Sequence, residues 1–277
     1  TARSACSRKG AATMLRRAAA PVLLALAAAA CAFPVEGDFA GRRLDRTQNP
    51  ATTIVIIHNH GFSSAQAGTY RPVTPPILKM AADRNPDVVV FSQVRNTPNL
   101  TAVDHSAYIE SAVAHFHRER GVPLENIILA GQSCGGWGSL QAVAFTYPTV
   151  GGVLGFAPTC HGKLPHSTAV RERRAQEIAQ LADRIHAAGA LFLYEGDSYY
   201  SVSEWDAFES RINGKAPELR VERVSRARVL ELCARCGGDS HGAYWDERFA
   251  SAFFDSHVQP LIERVRARLR ARTAIHP

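Results

Sequence analysis

Gly131-Gln132-Ser133-Cys134-Gly135-Gly136 directly follows Asn126-Ile127-Ile128-Leu129-Ala130 and precedes a segment that reads as helix. The apolar run is short and partly β-branched, which predicts a buried strand. A G-x-S-x-G set between strand and helix is the nucleophile-elbow motif. Small residues are needed on both sides because the serine sits in a strained turn, where a neighbouring Cβ would clash. The strain lifts the hydroxyl clear of the sheet, and the following helix aims its free N–H groups at the place where negative charge develops. Glycine-rich strand-to-helix turns without chemistry also occur, so the motif needs partners elsewhere in the chain.

Residues 1–13 carry no apolar periodicity. Met14-Leu15-Arg16-Arg17, the apolar run from Pro21 to Ala30 and the small residues before Cys31 follow the order of a secretory signal peptide. The natural start is expected at Met14, with the residues before it as upstream read-through. The apolar run is shorter than the ~20 residues of a membrane span. Ala28-Ala29-Ala30-Cys31 is similar to a bacterial lipobox, with Ala28 where leucine is usual. Cys31 is therefore the candidate for a lipid anchor, and export to the periplasm or beyond is the expectation.

The formal charge of the chain is +7. Arg3, Arg8, Lys9, Arg16 and Arg17 lie in the first thirty residues with no acidic residue among them, so only +2 belongs to the rest. The high pI is thus no sign of a nucleic-acid partner or an anionic surface. The arginine runs at Arg171–Arg174 and Arg264–Arg272 sit among helix formers and read as solvated helix faces.

Residues 32–277 suffice for one α/β domain with a single core. Strands are expected at Thr52–His58, Asp87–Phe91, Ile127–Ala130, Gly152–Ala157, Ala190–Tyr194 and Leu219–Val224. Helices are expected over 74–84, 103–120, 138–145, 168–188 and 203–212, and from Glu247 to Arg272. Such alternation predicts a doubly wound, mostly parallel sheet flanked by helices, with ligands at the carboxyl ends of the strands.

With its order of strand, elbow serine, later acid and final histidine, the chain resembles the α/β-hydrolase family from about Thr52 onward. The Gly135-Gly136 pair after the serine is similar to that of the dienelactone-hydrolase-like and secreted serine esterase branches. Those branches imply little or no lid. The dienelactone enzymes place a cysteine where Ser133 stands, so their particular chemistry is not implied. The resemblance implies a serine esterase working through an acyl-enzyme, with no cofactor and a small-molecule or saccharide-linked ester as substrate. A peptidase or acyltransferase would use the same residues, and a catalytically silent binding module would keep only the scaffold.

A general base must lie on a loop after the last strand, within reach of the serine. Gly237-Gly238-Asp239-Ser240-His241-Gly242 is such a loop, and a histidine-glycine pair there is what the resemblance predicts, so His241 is the candidate. His257 and His276 read as surface residues. Asp197, in Glu195-Gly196-Asp197 after the Ala190–Tyr194 strand, fits the position of the acid that holds the histidine tautomer. Glu195 is its rival and Asp206 a more distant one. The oxyanion donors are expected to be the N–H groups of Cys134 and of Phe62, which follows Gly61 in Asn59-His60-Gly61-Phe62. His58 and His60 share a strand face and could suggest a metal site. No third ligand stands at a recognisable spacing, so no metal is expected.

Cys134, Cys160, Cys233 and Cys236 form an even set, which in an oxidising compartment suggests disulfides. Three pairings are open, one of them Cys134–Cys160 with Cys233–Cys236, and all four residues are expected around the site. The pocket should be shaped by the loops 62–75, 158–168 and 198–216. Their aromatic residues Tyr70, Tyr199, Tyr200 and Trp205 either line it or pack, whereas Trp137 reads as core.

Overall fold

The β-branched runs of the sequence become the inner strands of one sheet. A computed structural model describes residues 35–44, 49–62, 69–70, 73–96, 102–216 and 218–275. The leader-like segment 1–31, with Cys31, and His276 lie outside the described residues. The strands are β1 (Gly37–Ala40), β2 (Ile54–Asn59), β3 (Thr69–Tyr70), β4 (Val88–Gln93), β5 (Arg95–Asn96), β6 (Ile127–Gln132), β7 (Gly152–Phe156), β8 (Gly189–Tyr194) and β9 (Leu219–Val224). Strands β3 and β5 pair as a separate two-stranded ribbon. The other seven form a sheet in the order β1-β4-β2-β6-β7-β8-β9, parallel throughout except for β1, which runs antiparallel to β4 at the edge. Every residue of β2, β4, β6 and β7 is buried, as strands covered on both faces must be.

The helices are α1 (Pro76–Arg84), α2 (Ala102–Ala114), α3 (Cys134–Gln141), α4 (Thr168–Arg184), α5 (Asp206–Ile212), α6 (Arg226–Leu232), α7 (Glu247–Phe253) and α8 (Gln259–Ile275). Two groups cover the sheet: α2 packs on α3, with α5 on α4, while α1 packs on α7 and on the turn leading into α8. One continuous apolar cluster runs through both, from Ile54 and Val88 to Phe192, Phe249 and Ile262. Val55 lies opposite Val89 on one side and Ile127 on the other, so β2 is central. The chain passes from β2 to β4 and then crosses back over β2 to β6. Strand order therefore reverses between β2 and β6, and the carboxyl ends there are the crevice in which ligands bind in open α/β sheets.

Several expectations change. The helix after the serine starts at Cys134 rather than 138, because Gly135, Gly136 and Gly138 are poor helix formers and hide its first turn. The helix expected over 103–120 ends in a π turn at His115–Glu119, and the one expected over 247–272 is interrupted by a π turn at Phe254–Val258. Strand β1 and helix α6 carry no sequence signal strong enough to be read. The arginine runs are not plain solvated faces. Arg174 is buried and bonds Glu204 Oε2 at 2.6 Å and Thr159 Oγ1 at 2.7 Å. Arg266 grips Asp87 through two nitrogens, at 2.6 and 2.7 Å. His257 is not a surface residue either, since its ring packs against Phe192 and Phe253 and bonds Glu222 Oε2 at 3.2 Å.

Candidate active site

Strand β6 delivers Ser133 into a turn with φ 54° and ψ −126°, a left-handed backbone that a residue with a side chain adopts only under strain. The turn is held from three directions. Ser133 N–H donates to Phe156 O at 3.0 Å, and Ser133 O accepts from Trp137 N–H at 2.9 Å and Thr159 N–H at 3.2 Å. The flanking glycines are required by close approach. A Cβ on Gly131 would lie 2.4 Å from Gly135 O, and one on Gly135 would lie 2.1 Å from Asn59 O. Gly61 presses on the turn from β2, since a Cβ there would meet Ser133 Cβ at 2.7 Å. Cys134 is the first residue of α3, so its N–H is among those with no carbonyl partner within the helix. Phe62 follows Gly61 and borders the same cavity as Ser133 and Cys134.

Asp197 and His241 come from loops 44 residues apart and meet. His241 Nδ1 lies 2.7 Å from Asp197 Oδ2, and Asp197 Oδ1 accepts from Tyr199 N–H at 2.8 Å. Burial pushes the Asp197 carboxyl up, and the bond from His241 pulls it back only in part. Glu195 turns away: its Oε2 accepts from Arg226 N–H at 2.9 Å, at the start of α6. Asp206 pairs with Arg223 on the surface. The structure thus brings Ser133, Cys134, Phe62 and His241 to one cavity, with Asp197 behind the histidine, and leaves Glu195 and Asp206 outside.

Asp239 also belongs to the arrangement, a role that the sequence motif does not disclose. Its Oδ1 accepts from His241 N–H at 3.0 Å and from Ser198 N–H at 3.1 Å, and its other oxygen accepts from the Ser198 hydroxyl. It clamps the histidine loop to the acid loop. Ser240 adds a second tie, donating to Glu195 O at 2.6 Å. The signal for Asp239 was an aspartate two residues before the histidine, a common geometry for a side-chain-capped turn.

Cys134 and Cys160 are bonded, with Cα atoms 4.5 Å apart, and both border the cavity. Cys233 and Cys236 are bonded to each other, but this bridge is buried beside α6 and does not reach the cavity. The expectation that all four ring the site is therefore corrected. The local spacing of Cys233 and Cys236 keeps their bridge within one turn. Of the loop aromatics, Tyr199 lines the cavity and lies against His241 with ring centres 4.3 Å apart and planes tilted by 35°, while Tyr200 and Trp205 are packed inside, as is Trp137. Tyr70 has its backbone described but not its side chain.

His58 and His60 are buried, with ring centres 4.5 Å apart. Their partners are Ser92 Oγ at 3.1 Å from His58 Nδ1 and Val73 O at 3.2 Å from His60 Nε2. Burial holds His60 down at about 4 and also holds His58 well below the ordinary histidine value, so both rings are neutral near pH 7. Among the described residues, no group of three His, Cys, Asp or Glu is placed to hold a metal.

No protein-family model matches the chain, and no significantly similar curated protein is found. Solved structures do resemble it. The Pyrococcus furiosus esterase Pf2001 is 12% identical with a TM-score of 0.50, covering 78% of this chain and 84% of its own. A monoacylglycerol lipase from Paleococcus ferrophilus is 12% identical with a TM-score of 0.50, covering 76% of this chain and 96% of its own. A puromycin-hydrolysing peptidase from Mycobacterium tuberculosis is 14% identical at a TM-score of 0.50, covering 78% of this chain but 34% of its own. Their likeness, added to the parallel sheet with its reversal at β2 and β6 and the strained serine at that reversal, shows that this chain has the α/β-hydrolase fold.

Proposed function

We propose that the chain is a serine hydrolase of carboxylic esters working through an acyl-enzyme. One observation carries the reading. Ser133, strained at a strand-to-helix turn, opens into the same cavity as a histidine whose far ring nitrogen is held by a buried carboxylate. Ser133 Oγ attacks the carbonyl carbon while His241 Nε2 takes its proton. Asp197 accepts the Nδ1–H, fixes the tautomer and stabilises the imidazolium as it forms. The N–H groups of Cys134 and Phe62 receive the developing oxyanion. His241 then gives the proton to the leaving alcohol. A water repeats the cycle, releasing the acid and restoring the serine hydroxyl.

The esterase and the lipase of the same fold lean towards the ester as the bond cleaved. The peptidase of that fold makes amides the second bond to assay. The test is labelling of the folded protein by a fluorophosphonate probe, lost in Ser133→Ala, together with turnover of aryl esters graded by acyl length. Labelled protein that cleaves aminoacyl amides and no ester would move the reading to a peptidase. Absence of labelling would overturn it in favour of a binding module.

We also infer export. The order of charges, apolar run and small residues ahead of Cys31 supports it, as do two disulfides, which persist in oxidising compartments. Fusion of residues 14–40 to a reporter active only outside the cytoplasm tests this, and a silent fusion would count against it.

A further inference from the structure

We propose that the cavity beside Ser133 selects esters carrying an oxyanionic group, a carboxylate or a phosphate, held by Lys163 and Arg173. This rests on the reading of Ser133 as an ester-cleaving nucleophile and names the substrate class of that site. The cavity has a volume of about 550 Å³, enough for a small ester with a side arm. One wall is formed by the loop at Thr159–Lys163 and the first turns of α4. Lys163 and Arg173 both lie on that wall, and among the described residues no acidic one lines the cavity.

The charge is uncompensated. Asp197 is committed to His241 and Glu177 to His161 at 2.9 Å, and Glu172, beside Arg173 in the chain, is not among the residues that line the cavity. The other arginines of the helix start are likewise taken. Arg171 donates to His166 O and Thr168 Oγ1, and Arg174 to Glu204. Arg173 makes no ion pair among the described residues and stands three positions after Val170, so helical spacing puts both on the cavity face. Arg174, one position on, turns into the core instead.

Lys163 is placed by the site itself. Leu164 N–H donates to Ser198 O at 2.9 Å, which ties the lysine's loop to the loop of Asp197. The ammonium lies 5.4 Å over the Tyr199 ring, and that ring lies against His241. A cation held over the ring that covers the general base, with a second cation on the same wall, gives the cavity a positive field. Such a field gathers anionic ligands and disfavours cationic ones. Arginine supplies a planar fork for an oxyanion and lysine a point charge beside it.

The experiment compares matched substrates on the full chain. One series is the 4-nitrophenyl esters of hexanoic, adipic and 5-phosphonopentanoic acids, which place a methyl, a carboxylate or a phosphonate at the acyl end. A second is phenyl acetate, 4-acetoxybenzoate and 4-acetoxyphenyl phosphate, which place the charge on the alcohol side. In at least one series the wild type should favour an anionic member by about tenfold in kcat/KM, the upper size that two exposed charge contacts support. The preference should shrink in high salt. The Lys163→Ala/Arg173→Ala double variant should lose it, its kcat/KM for the anionic members falling to the value for the neutral member of the same series. A carboxylate preference without a phosphonate or phosphate one, or the reverse, assigns the oxyanion.

Equal turnover of neutral and anionic members in both series overturns the proposal and leaves the esterase reading intact. So does a preference that survives in the double variant. No turnover of any ester by folded wild type, with no fluorophosphonate labelling, overturns the esterase reading itself.

Discussion

The Asp197 carboxylate lies 2.7 Å from Nδ1 of His241, whereas Glu195, two residues earlier, spends its carboxylate on the N–H of Arg226. Two acids on one turn thus do different work. Glu195 holds the entry to α6, and Asp197 faces the histidine from a buried position. The division follows from the turn at Gly196, whose φ of 77° swings the chain between them.

Asp197→Asn should cut kcat/KM by about 10³–10⁴, because an amide facing Nδ1 no longer selects the tautomer that accepts the serine proton. Stability should move the other way. Burial raises the Asp197 carboxyl, so its ionised form costs stability above the unfolded value and nothing below it. Asparagine avoids that cost. The variant's Tm should equal or exceed that of wild type at pH 8, and the two should converge below about pH 3.9. Thermal melts across pH, read beside the kinetics, check both halves. A large fall in Tm at pH 8 would show that the pair stabilises the fold.

Gly135→Ala should destabilise the chain by at least ~2 kcal/mol, since the new methyl would sit 2.1 Å from Asn59 O and 2.5 Å from His60 O. Both are backbone atoms at the end of β2 and cannot swing aside. Gly237→Ala is the control, because nothing lies within 4 Å of a Cβ there, and it should stay within about 0.5 kcal/mol. Urea midpoints at constant m-value measure the difference. Equal midpoints would mean that α3 can move off β2.

How much of this was readable in the sequence depended on range. Ser133 announces itself locally, because strand, glycines and helix are contiguous. His241 and Asp197 are readable by their places after strands, and Asp197 separates from Glu195 only in space. The inner strands are legible as β-branched runs. Strand β1 is not, because GDFA has little apolar patterning and owes its state to pairing with β4. Arg173 and Arg174 look identical in sequence. One residue's step around the helix sends the first to the cavity and the second into the core, where Glu204, 30 residues on, holds it.

The two disulfides should separate in effect. Cys134→Ser/Cys160→Ser opens a bridge across 26 residues and should cost about 3–4 kcal/mol, while Cys233→Ser/Cys236→Ser opens one across 3 and should cost about 2 kcal/mol. Only the first touches the cavity, where it ties the first residue of α3 to the wall at Cys160. It should lower kcat by about 10- to 100-fold through displacement of the Cys134 N–H, and the second should leave kcat unchanged. Chemical denaturation and steady-state assays on both pairs decide this. An undiminished kcat without the Cys134–Cys160 bridge would show that α3 holds the N–H in place unaided.

Arg266 should matter to stability and not to activity. It donates to both oxygens of Asp87 and to Asn85 Oδ1 at 2.9 Å, fastening α8 to the start of β4. Asp87 precedes the amino end of β4, and the cavity lies at the carboxyl ends of the strands, so the two are on opposite edges of the sheet. Burial pushes the Asp87 carboxyl up, but the hydrogen bonds and charge of Arg266 outweigh it and leave the group lowered. A lowered carboxyl adds stability above its unfolded value, and that addition is lost as pH falls through the folded value. Arg266→Met should therefore reduce stability by about 1 kcal/mol at pH 7, a figure discounted for partial solvent screening. The gap should begin to close as pH drops below about 3.9 and vanish only below the lowered folded value, where Asp87 takes up its proton in the wild type as well. Ester turnover at 25 °C should be unaltered. Melting curves for both proteins from pH 2.5 to 8 test the pairing, and a gap that stays constant with pH would place the effect in the arginine's packing on α8 instead of its charge.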